Sequence, residues 1–549
     1  MTDMTELSTD TAVHLLDSLA SSPAHVFFPE SGQQTAHTAL PELAWGVAAA
    51  LAADDTRRGS TIGILTGTEP DFLPAILGSL AAGIPASVLP VPPVLLDPRH
   101  TAEALSAIVD AARMSTVLAS TALVPTALEL QALRPAIQVI DISRLGPRSR
   151  PDHPPMLRDR EPAIIQFTSG STSAPKGVVI SHSAFLAGVH AIASRLRMTS
   201  DDVGVQWVPL FHDMGLVSLF VSLAVSGDAH LFTPLSFVRR PEYFLEHMAR
   251  VGGTVTNGPN FGYERLIAAL PKTRLPASLS RWRLAINGGE VVGPATIGRF
   301  RDAFASVGVP STTMFPSYGM AEATLAITMP HPGEEPSVLH IDRGHLTPGR
   351  EICPAGPDDE CAMPVVCLGR PLRGLRLRIV HDGNRLPDGH LGDIQVRGAS
   401  LTSGYLHNDE ATDKAFTDGW FDTGDLGFLH GGQLYVTGRR KELIVVRGRN
   451  FFPDDVEALA RDVPGVYRRH AVAFADAEGE QIIVVAEQGV RNRQDLVDAV
   501  EKAVTDRLGL TACRTILVPP NTLPRTTSGK WQRTRIRARF IDHRAAEHH

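Results

Sequence analysis

Strand-like and helix-like segments alternate through the first part of this 549-residue chain, and that alternation limits the folds available to it. Segments 61–65, 86–90 and 116–119 are short and apolar, as buried strands are. Between them, 71–82 and 101–113 have the length and composition of packed helices. Strands and helices that alternate at this spacing form parallel sheets covered by helices, so we predict an α/β fold here.

The later part of the chain has a different pattern. Apolar and polar residues alternate at 375–380 and 393–398, which predicts an antiparallel β subdomain. We therefore predict a large N-terminal domain, 1–438, that combines parallel-type α/β sheets with this subdomain. A small, mobile α+β domain follows at 439–549. Residues 330–368 lack a periodic pattern and are rich in Pro, Asp and Gly, which indicates a long surface insertion.

Composition narrows the classes of protein. With 52 basic and 59 acidic residues the net charge is −7, which argues against a dedicated nucleic-acid binder. Residues 1–12 lack the pattern of a signal peptide, and prolines interrupt the longest apolar stretch, 72–96, so we expect no membrane span. Four cysteines in so long a chain, without zinc-like spacing, suggest a reducing compartment. We expect a cytoplasmic protein that is a monomer or a weak dimer.

A loop of small and hydroxylated residues lies between two short strand-like segments, 163–167 and 178–180. Small side chains let backbone N–H groups approach phosphate oxygens, and hydroxyls donate further hydrogen bonds. The loop differs from a Walker motif because Pro175 stands where the second glycine would be. An ordinary surface loop rich in Ser, Gly and Pro is the alternative. The candidate phosphate-binding residues are Thr168, Ser169, Gly170, Ser171, Thr172 and Lys176.

Two further segments carry candidate residues after strand-like runs. His212 and Asp213 follow one such run and suit either catalysis or a structural role, with Asp213 as a helix cap and His212 as a packed ring. Gly288 and Gly289 lie near the end of the strand-like run 284–290. Ligands of α/β sheets bind outside the carboxyl ends of strands, where these residues would lie.

Three more segments offer groups that bind parts of a nucleotide. The ring of Tyr318, beside a glycine, could lie on a planar base, and the Glu322 carboxylate could bind Mg²⁺ with phosphate oxygens. The alternative is a turn followed by a helix with Glu322 in its first turn. Asp425 is predicted to be an exposed turn carboxylate that accepts hydrogen bonds from two ribose hydroxyls. Lys530 lies in a predicted mobile loop, and a solvated basic tail is its alternative.

Five motifs occur in one order over nearly the whole chain, and together they resemble the adenylate-forming superfamily. They are 167–177, Tyr-Gly-Met-Ala-Glu at 318–322, Phe-Asp-Thr-Gly-Asp at 421–425, Thr-Gly-Arg-Arg-Lys-Glu at 437–442 and Pro-Arg-Thr-Thr-Ser-Gly-Lys at 524–530. That superfamily contains acyl-CoA synthetases, peptide-synthetase adenylation domains and luciferases.

Within the superfamily, the chain is most similar to the fatty acyl-AMP ligases. The sequences of segments 209–216 and 317–325 are similar to those of that branch. Segment 345–368 lies where those ligases carry an extra insertion, and 445–450 replaces the paired glycines that acyl-CoA synthetases show after the hinge.

This resemblance implies that a fatty acid of medium or long chain attacks the α-phosphorus of ATP and that pyrophosphate leaves. The acyl group then passes to the phosphopantetheine thiol of an acyl carrier protein. By resemblance, the 168–176 loop holds the β- and γ-phosphates, and Glu322 binds Mg²⁺. The resemblance also implies nucleotide binding, at the adenine by Gly288, Gly289, Tyr318, Gly319 and Met320, and at the ribose by Asp425 and Arg439. His212 would border the acyl tunnel, and Lys530 would bridge the substrate carboxylate and ATP. Lys441 would be the hinge of the C-terminal domain.

Two alternative functions remain at this point. An acyl-CoA synthetase would release acyl-CoA when given CoA alone. A non-catalytic adenylate-binding protein is disfavoured because Lys530, Glu322 and the phosphate loop are all intact.

Two hypotheses concern the thiol acceptor. Arg447, where CoA-using relatives have glycine, could narrow the path of soluble CoA; the alternative is an exposed arginine with no gating role. A basic run, Arg533, Arg535, Arg537 and Arg539, could attract an acidic carrier protein.

Overall fold

Two seven-stranded sheets with helices packed against them form the first part of the chain in the computed structural model. The structure describes residues 12–53, 59–92, 97–152, 155, 157–168, 175–446, 449–476, 479–489, 492–510, 512–525 and 531–542. The bounds of the regular elements within these residues are as follows.

The helices are α1 (Ala12–Leu19), α2 (Leu40–Ala52), α3 (Phe72–Ala81), α4 (Pro98–Ala112), α5 (Val124–Leu133), α6 (His182–Leu196), α7 (Asp213–Ala224), α8 (Pro234–Arg239), α9 (Pro241–Val251), α10 (Asn260–Ala269), α11 (Pro294–Phe304), α12 (Asp409–Ala415), α13 (Pro453–Arg461), α14 (Arg493–Leu508) and α15 (Arg533–Arg537).

The strands are β1 (His25–Phe28), β2 (Gln33–Ala36), β3 (Ile62–Leu65), β4 (Ala86–Val88), β5 (Thr116–Ala119), β6 (Gln138–Asp141), β7 (Pro162–Thr168), β8 (Lys176–Ser181), β9 (Val203–Gln206), β10 (Asp228–Leu231), β11 (Val255–Gly258), β12 (Leu284–Asn287), β13 (Met314–Pro316), β14 (Tyr318–Gly319), β15 (Ala326–Met329), β16 (Val338–Asp342), β17 (Ala362–Val366), β18 (Arg370–Pro371), β19 (Leu375–His381), β20 (Asn384–Arg385), β21 (Gly392–Gly398), β22 (Gly404–Tyr405), β23 (Phe416–Thr417), β24 (Trp420–His430), β25 (Gln433–Arg439), β26 (Ile444–Val446), β27 (Arg449–Phe451), β28 (Val466–Ala475), β29 (Ile482–Gln488) and β30 (Cys513–Val518).

The two seven-stranded sheets are mainly parallel, which confirms the α/β prediction. One has the order β13-β12-β11-β9-β10-β1-β2, and only its edge pair β1–β2 is antiparallel. The other has the order β22-β8-β7-β4-β3-β5-β6, and its antiparallel pairs are β22–β8 and β8–β7. Strands β3, β5, β11 and β12 are buried along their whole length, as expected for parallel strands covered by helices on both faces.

Local signals set several helix boundaries. Helix α4 begins at Pro98, because the Asp97 side chain accepts the N–H of Arg99 at 3.1 Å and caps the first turn. It ends at Arg113, whose φ of 48° is left-handed. Helix α6 covers 182–196 as predicted, and the Ser181 hydroxyl caps it by accepting the N–H of Ala184 at 3.2 Å.

The chain divides into two compact units. The first unit comprises 1–336, 371–376 and 397–417, and the second comprises 337–370, 377–396 and 418–549. This partition groups the predicted antiparallel subdomain with the C-terminal segment. The proposed boundary between 438 and 439 therefore stays a prediction.

The second unit contains the predicted antiparallel β structure. Strands β20, β19, β21, β24 and β25 are successive neighbours in one sheet. Antiparallel pairs join β19 with β20, β21 with β24, and β24 with β25.

Segment 330–368 is not wholly superficial, contrary to what the sequence had suggested, and the assignment of 345–368 as a ligase-type insertion stays a prediction. Strands β16 and β17 pair within it as an antiparallel hairpin. Ile341, Met363 and Val365 are buried in one cluster with Phe428 and Tyr435. The long polar connection between the two strands hides their apolar alternation from a sequence reading.

The last hundred residues form the predicted small α+β arrangement. Strand β29 pairs antiparallel with β28 and parallel with β30, and α14 covers the predicted range 493–508. Strand β28 begins four residues before the predicted 470–475, because its register shifts between Val466 and Ala471. Arg468 and Arg469, both with positive φ, lie in that irregular part. Within the described residues, no helix has the length and hydropathy that a bilayer span requires.

Four histidines are buried inside the first unit: His37, His182, His230 and His247. The Nε2 atom of His247 lies 3.0 Å from Nδ1 of His230, and the His230 ring stacks on Phe27 at 4.4 Å. Burial lowers the pKa of His230 to about 3 and the pKa of His247 to about 4. Both rings are therefore neutral in the folded protein at every pH above about 5.

We expect acid to destabilise the protein through this histidine pair. Below the ordinary histidine pKa of 6.5, His230 and His247 bind protons in the unfolded chain but stay neutral in the folded protein. The free energy of unfolding therefore falls as the pH is lowered from 6.5 to the folded pKa values. His247→Gln keeps an N–H donor but cannot titrate. Its melting temperature should fall less than that of the wild type between pH 7.5 and 5.5. One histidine held neutral in the folded protein lowers the free energy of unfolding by about 1.4 kcal/mol at pH 5.5.

Scanning calorimetry at the two pH values measures this difference. The matched control is His100→Gln, which changes an exposed histidine in α4 and should show the same fall as the wild type. An equal fall in His247→Gln and the wild type would contradict the assignment.

Candidate active site

The carboxyl ends of β11, β12 and β13 bring two of the predicted adenine-binding segments together. Parallel pairing aligns β12 with β13, and the N–H of Ser317 donates to the carbonyl of Asn287 at 2.8 Å. Gly288 follows Asn287, and a Cβ on it would lie 2.8 Å from the carbonyl oxygen of Ser317. Gly289 has a φ of 82°, a left-handed conformation that favours glycine. Gly288 thus lies against the residue that precedes Tyr318, and the binding of adenine by these residues stays a prediction.

The sequence offered Asp213 as a helix cap and His212 as a packed ring, whereas in the structure the residue that caps helix α7 is His212, whose Nδ1 accepts the N–H of Met214 at 3.2 Å. Its Nδ1 lies 2.6 Å from Oδ1 of Asp213, and the N–H of Met214 donates to the same oxygen at 2.7 Å. A Cβ on Gly289 would lie 3.5 Å from the Met214 side chain, so this helix start adjoins the two glycines. A role for His212 towards an acyl group stays a prediction.

Glu322 lies directly after β14, in a three-residue 3-10 helix over Ala321–Ala323 and not in a longer helix. Its carbonyl accepts the N–H of Thr402 at 2.7 Å, and its Oε1 accepts the hydroxyl of Tyr405 at 3.0 Å. Thr324 holds the far side of this turn with a φ of 67°, which is strained for a β-branched residue. The Thr324 hydroxyl compensates by donating to two buried carbonyls.

The strands on either side of the predicted phosphate loop form a hairpin, as predicted. Strands β7 and β8 pair antiparallel, and Thr168 lies opposite Lys176. Ser169, Gly170, Ser171 and Thr172 lie outside the described residues. The two ends of the loop are therefore placed side by side at the end of the β7–β8 ladder.

Tyr405 connects the loop with Glu322, and sequence reasoning missed it. It belongs to β22, where it pairs with Val178 of β8. Its hydroxyl contacts Glu322, and the Lys176 ammonium lies 5.4 Å from the centre of its ring, in cation–π range. No local signal marks this tyrosine, because its two polar partners lie far from it in sequence.

Asp425 and Arg439 are brought together in the second unit. They are opposite each other on β24 and β25, and Nε of Arg439 lies 3.3 Å from Oδ1 of Asp425. The two residues that the resemblance assigned to a ribose thus contact each other, and their binding of a ribose stays a prediction.

The prediction that Asp425 is an exposed turn residue was wrong. It is only 5% exposed and lies within the eleven-residue strand β24. Gln395 pairs with Asp422 and Asp393 pairs with Leu426, so three residues of β24 bulge opposite one of β21. This bulge accounts for the turn-like Thr-Gly-Asp sequence.

The predicted hinge, Lys441, lies in a short 3-10 helix over Arg440–Glu442. On one side, Arg440 forms ion pairs with Asp393 at 2.5 Å and Asp422 at 2.7 Å. On the other side, Glu442 pairs with Arg533 at 3.0 Å. The neighbours of Lys441 are held by different segments, and its role as a hinge stays a prediction.

The basic run is smaller than predicted. Arg533 is largely buried in ion pairs with Glu442, Asp454 and Glu457, so it cannot attract a partner. Arg535, Arg537 and Arg539 are exposed. Lys530 and Arg447 lie outside the described residues.

Comparison with known proteins gives two family matches. A model described as AMP-binding enzyme matches residues 16–406, and a model described as the AMP domain of Disco-interacting protein 2-like proteins matches 441–549.

Similar whole proteins include two fatty-acid ligases and one solved structure. The medium-chain-fatty-acid acyl-carrier-protein ligase JamA of Moorena producens is 32% identical over 86% of this chain and 84% of its own. The long-chain-fatty-acid AMP ligase FadD32 of Mycolicibacterium smegmatis is 31% identical over 89% and 86%. A structure from work on fatty acyl-adenylate ligases of E. coli and L. pneumophila superposes with a TM-score of 0.89 at 28% identity, over 99% of this chain and 100% of that one.

Tyr405→Phe should weaken the binding of ATP about fivefold, which corresponds to one hydrogen bond of roughly 1 kcal/mol to Glu322. The phenyl ring stays beneath Lys176, so only the contact with Glu322 is lost. Titration calorimetry measures the affinity. Tyr243→Phe is the control, since it removes a hydroxyl that bonds to the Pro29 carbonyl at 3.2 Å. An unchanged affinity in Tyr405→Phe would refute the link between Tyr405 and the nucleotide.

Proposed function

Because the chain belongs to the AMP-binding enzyme family, we propose that it activates a medium- or long-chain fatty acid with ATP to form an acyl-adenylate. The acyl group is then transferred to the phosphopantetheine thiol of an acyl carrier protein. The observation that carries the proposal is the cluster in which Tyr405 joins Lys176 to Glu322. Relatives named as fatty-acid ligases, above 30% identity over most of both chains, support the choice of substrate.

The proposed reaction has two steps. A carboxylate oxygen of the fatty acid attacks the α-phosphorus of ATP, the bond to the β-phosphate oxygen breaks, and pyrophosphate leaves. The thiol then attacks the acyl carbonyl and AMP leaves. In the first step the protein supplies position and opposite charge, which is the usual basis of phosphoryl-group chemistry.

Cations and hydroxyls serve the phosphate end of ATP in this proposal. Thr168 and Lys176, at the paired ends of the β7–β8 hairpin, bind the β- and γ-phosphates together with the loop residues 169–172. Lys530 bridges the substrate carboxylate and ATP while negative charge moves to the leaving pyrophosphate. A lysine suits this task because its compact ammonium acts as a point charge with three donors.

Magnesium fits the residues around Glu322. Mg²⁺ is usually held by one or two carboxylates together with substrate phosphates and water. Glu322 supplies one carboxylate, and Tyr405 orients it through Oε1. The described residues contain no group of three His, Cys, Asp or Glu that could hold a metal alone, so the nucleotide would provide the remaining ligands. When bound, the ion neutralises phosphate charge.

The adenine and the ribose are bound by the residues that the family resemblance assigns to them. Gly288 and Gly289 leave room for adenine, which Tyr318, Gly319 and Met320 border. Asp425 accepts hydrogen bonds from the ribose hydroxyls, and Arg439 holds that carboxylate at 3.3 Å. His212 borders the acyl carboxylate at the start of α7, and Lys441 is the hinge of the C-terminal segment between the two steps.

The acceptor thiol distinguishes this function from that of an acyl-CoA synthetase. The printed name of JamA, an acyl-carrier-protein ligase, supports a carrier. Arg447 as a barrier to soluble CoA remains a hypothesis.

The function is tested by incubating the purified protein with ATP, magnesium and fatty acids from short to long chain. We expect release of pyrophosphate with medium- or long-chain acids, and acyl transfer to a pantetheinylated carrier protein but not to CoA. Formation of acyl-CoA from CoA alone would establish the synthetase instead. The absence of adenylate with every acid would overturn the proposal.

Lys530→Ala should slow adenylation about 10²- to 10³-fold, on the order of 3–4 kcal/mol, because it removes the cation that stabilises the departing charge. The rate of pyrophosphate release measures this loss. Lys502→Ala, on α14, is the control and should retain the wild-type rate. A Lys530→Ala rate within twofold of the wild type would exclude the assigned role.

Charge reversal tests the exposed part of the basic run. Arg535→Glu with Arg537→Glu should slow acyl transfer to an acidic carrier several-fold at low salt, because exposed charges mainly change the association rate. Adenylation should stay unchanged. Arg99→Glu reverses an exposed charge on α4 and serves as the control. Transfer rates that match the wild type at low salt would show that this surface does not attract the carrier.

A further inference from the structure

The residues on either side of segment 526–530 are tied to each other. Arg525 and Trp531 form an isolated antiparallel bridge, and the N–H of Gln532 donates to the carbonyl of Pro524 at 3.1 Å. The Gln532 amide donates to the carbonyl of Arg525 at 3.0 Å. The Arg525 guanidinium lies 3.7 Å from the centre of the Trp531 ring, a close cation–π contact. The described residues on the two sides of 526–530 thus contact each other, and we call these contacts the base.

A buried carboxylate lies behind the first side of this base. Glu487, on β29, is fully buried. Its Oε2 accepts the N–H of Asn521 at 2.8 Å, and its Oε1 accepts the N–H of Leu523 at 2.9 Å. These two bonds hold the backbone just before Pro524 and Arg525. Leu523 is itself buried in an apolar cluster with Ile536, which anchors the chain beyond Gln532.

The same carboxylate also supports the second side of the base. Nδ1 of His470 lies 2.8 Å from Oε2 of Glu487, and the His470 ring meets Trp531 edge-on at 5.2 Å. Burial favours the neutral imidazole and lowers the pKa of His470, with Arg525 acting in the same direction. Burial alone would raise the pKa of Glu487, but the Leu523 N–H and His470 outweigh it and lower the pKa. The ionised carboxylate of Glu487 therefore accepts a hydrogen bond from the neutral imidazole of His470.

We propose that Glu487 is a positioning residue for Lys530. Its carboxylate holds both ends of the segment that carries the lysine: the backbone at 521 and 523 directly, and Trp531 through His470. The inference rests on the proposed adenylation role of Lys530. Lys530 directly precedes Trp531 in the sequence, so one peptide unit joins the Cα atoms of the two residues.

The chemistry of a carboxylate matters at this position. An ionised glutamate only accepts hydrogen bonds, and all three of its neighbours here are donors. In Glu487→Gln one oxygen becomes an NH₂ group, which turns a donor towards a backbone N–H or the His470 ring. The variant keeps the volume of the side chain while it disrupts one side of the base.

A double-mutant cycle tests the proposal in the full-length protein. Single-turnover adenylate formation is measured for the wild type, Glu487→Gln, Lys530→Ala and the double variant. Glu487→Gln should lower the rate about 10- to 100-fold with little change in the KM for ATP, as a misplaced catalytic group does. In the Lys530→Ala background the same change should cost less than twofold, because Glu487 acts through the lysine.

A purely structural role gives a different result. If Glu487 only stabilised the domain, Glu487→Gln would lower the adenylation rate by the same factor in the wild type and in Lys530→Ala, and that result would overturn the proposal. If Lys530→Ala itself left adenylation intact, the proposed role of the lysine would fail instead. Acyl transfer from supplied acyl-adenylate should survive Glu487→Gln, since the pyrophosphate-releasing step is bypassed.

Two further variants keep the test conclusive. Glu501→Gln removes another carboxylate that accepts one backbone N–H in the same domain, that of Thr515 at 2.8 Å, and it should leave adenylation unchanged. If Glu487→Gln does not fold, Trp531→Leu enters the same cycle with the same expectation, because it removes the ring between His470 and Arg525. Equal losses with and without Lys530 would overturn the proposal there too.

Discussion

Parallel pairing between β11, β12 and β13 is the constraint on which the adenine end of the proposed site depends. Parallel strands end at the same edge of a sheet, so Gly258, Asn287 and Pro316 lie next to one another there. The hydrogen bond from Ser317 to Asn287 continues this alignment one residue beyond β13. It brings Gly288 so close to the Ser317 carbonyl that no larger side chain fits without displacing backbone.

Buried polar contacts orient the charged residues that such a scaffold carries. Tyr405 donates to Glu322 and lies beneath Lys176, so one side chain relates an acid and a base that are 146 positions apart in the sequence. In the second unit, Glu487 and Glu457 are fully buried, and each is surrounded by donors or arginines. Buried carboxylates without such partners would be costly. Their hydrogen bonds therefore hold the backbone at Asn521, Leu523 and Ala473 and the side chain of Arg533.

Sequence patterns predicted elements well where local composition decides the structure. The strands at 61–65 and 116–119, the helices at 182–196 and 493–508, and the strands of the β7–β8 hairpin were predicted with nearly their observed bounds. The predictions were wrong where distant pairing decides. Apolar residues of 330–368 are buried because β16 pairs with β17 across a polar connection, and Asp425 is buried because it lies in a bulge opposite β21.

The sequence by itself determined the fold class, the family and the order of the motifs, because these depend on local periodicity and on short runs of residues. The tertiary structure decided which side chains support those motifs. Tyr405, His470 and Glu487 carry no local signal, and their partners are brought near only by strand pairing. It also removed Arg533 from the basic run, since only packing shows that three carboxylates surround it. Hydrogen bonds and ion pairs act over a few ångströms in space, whatever the separation along the chain.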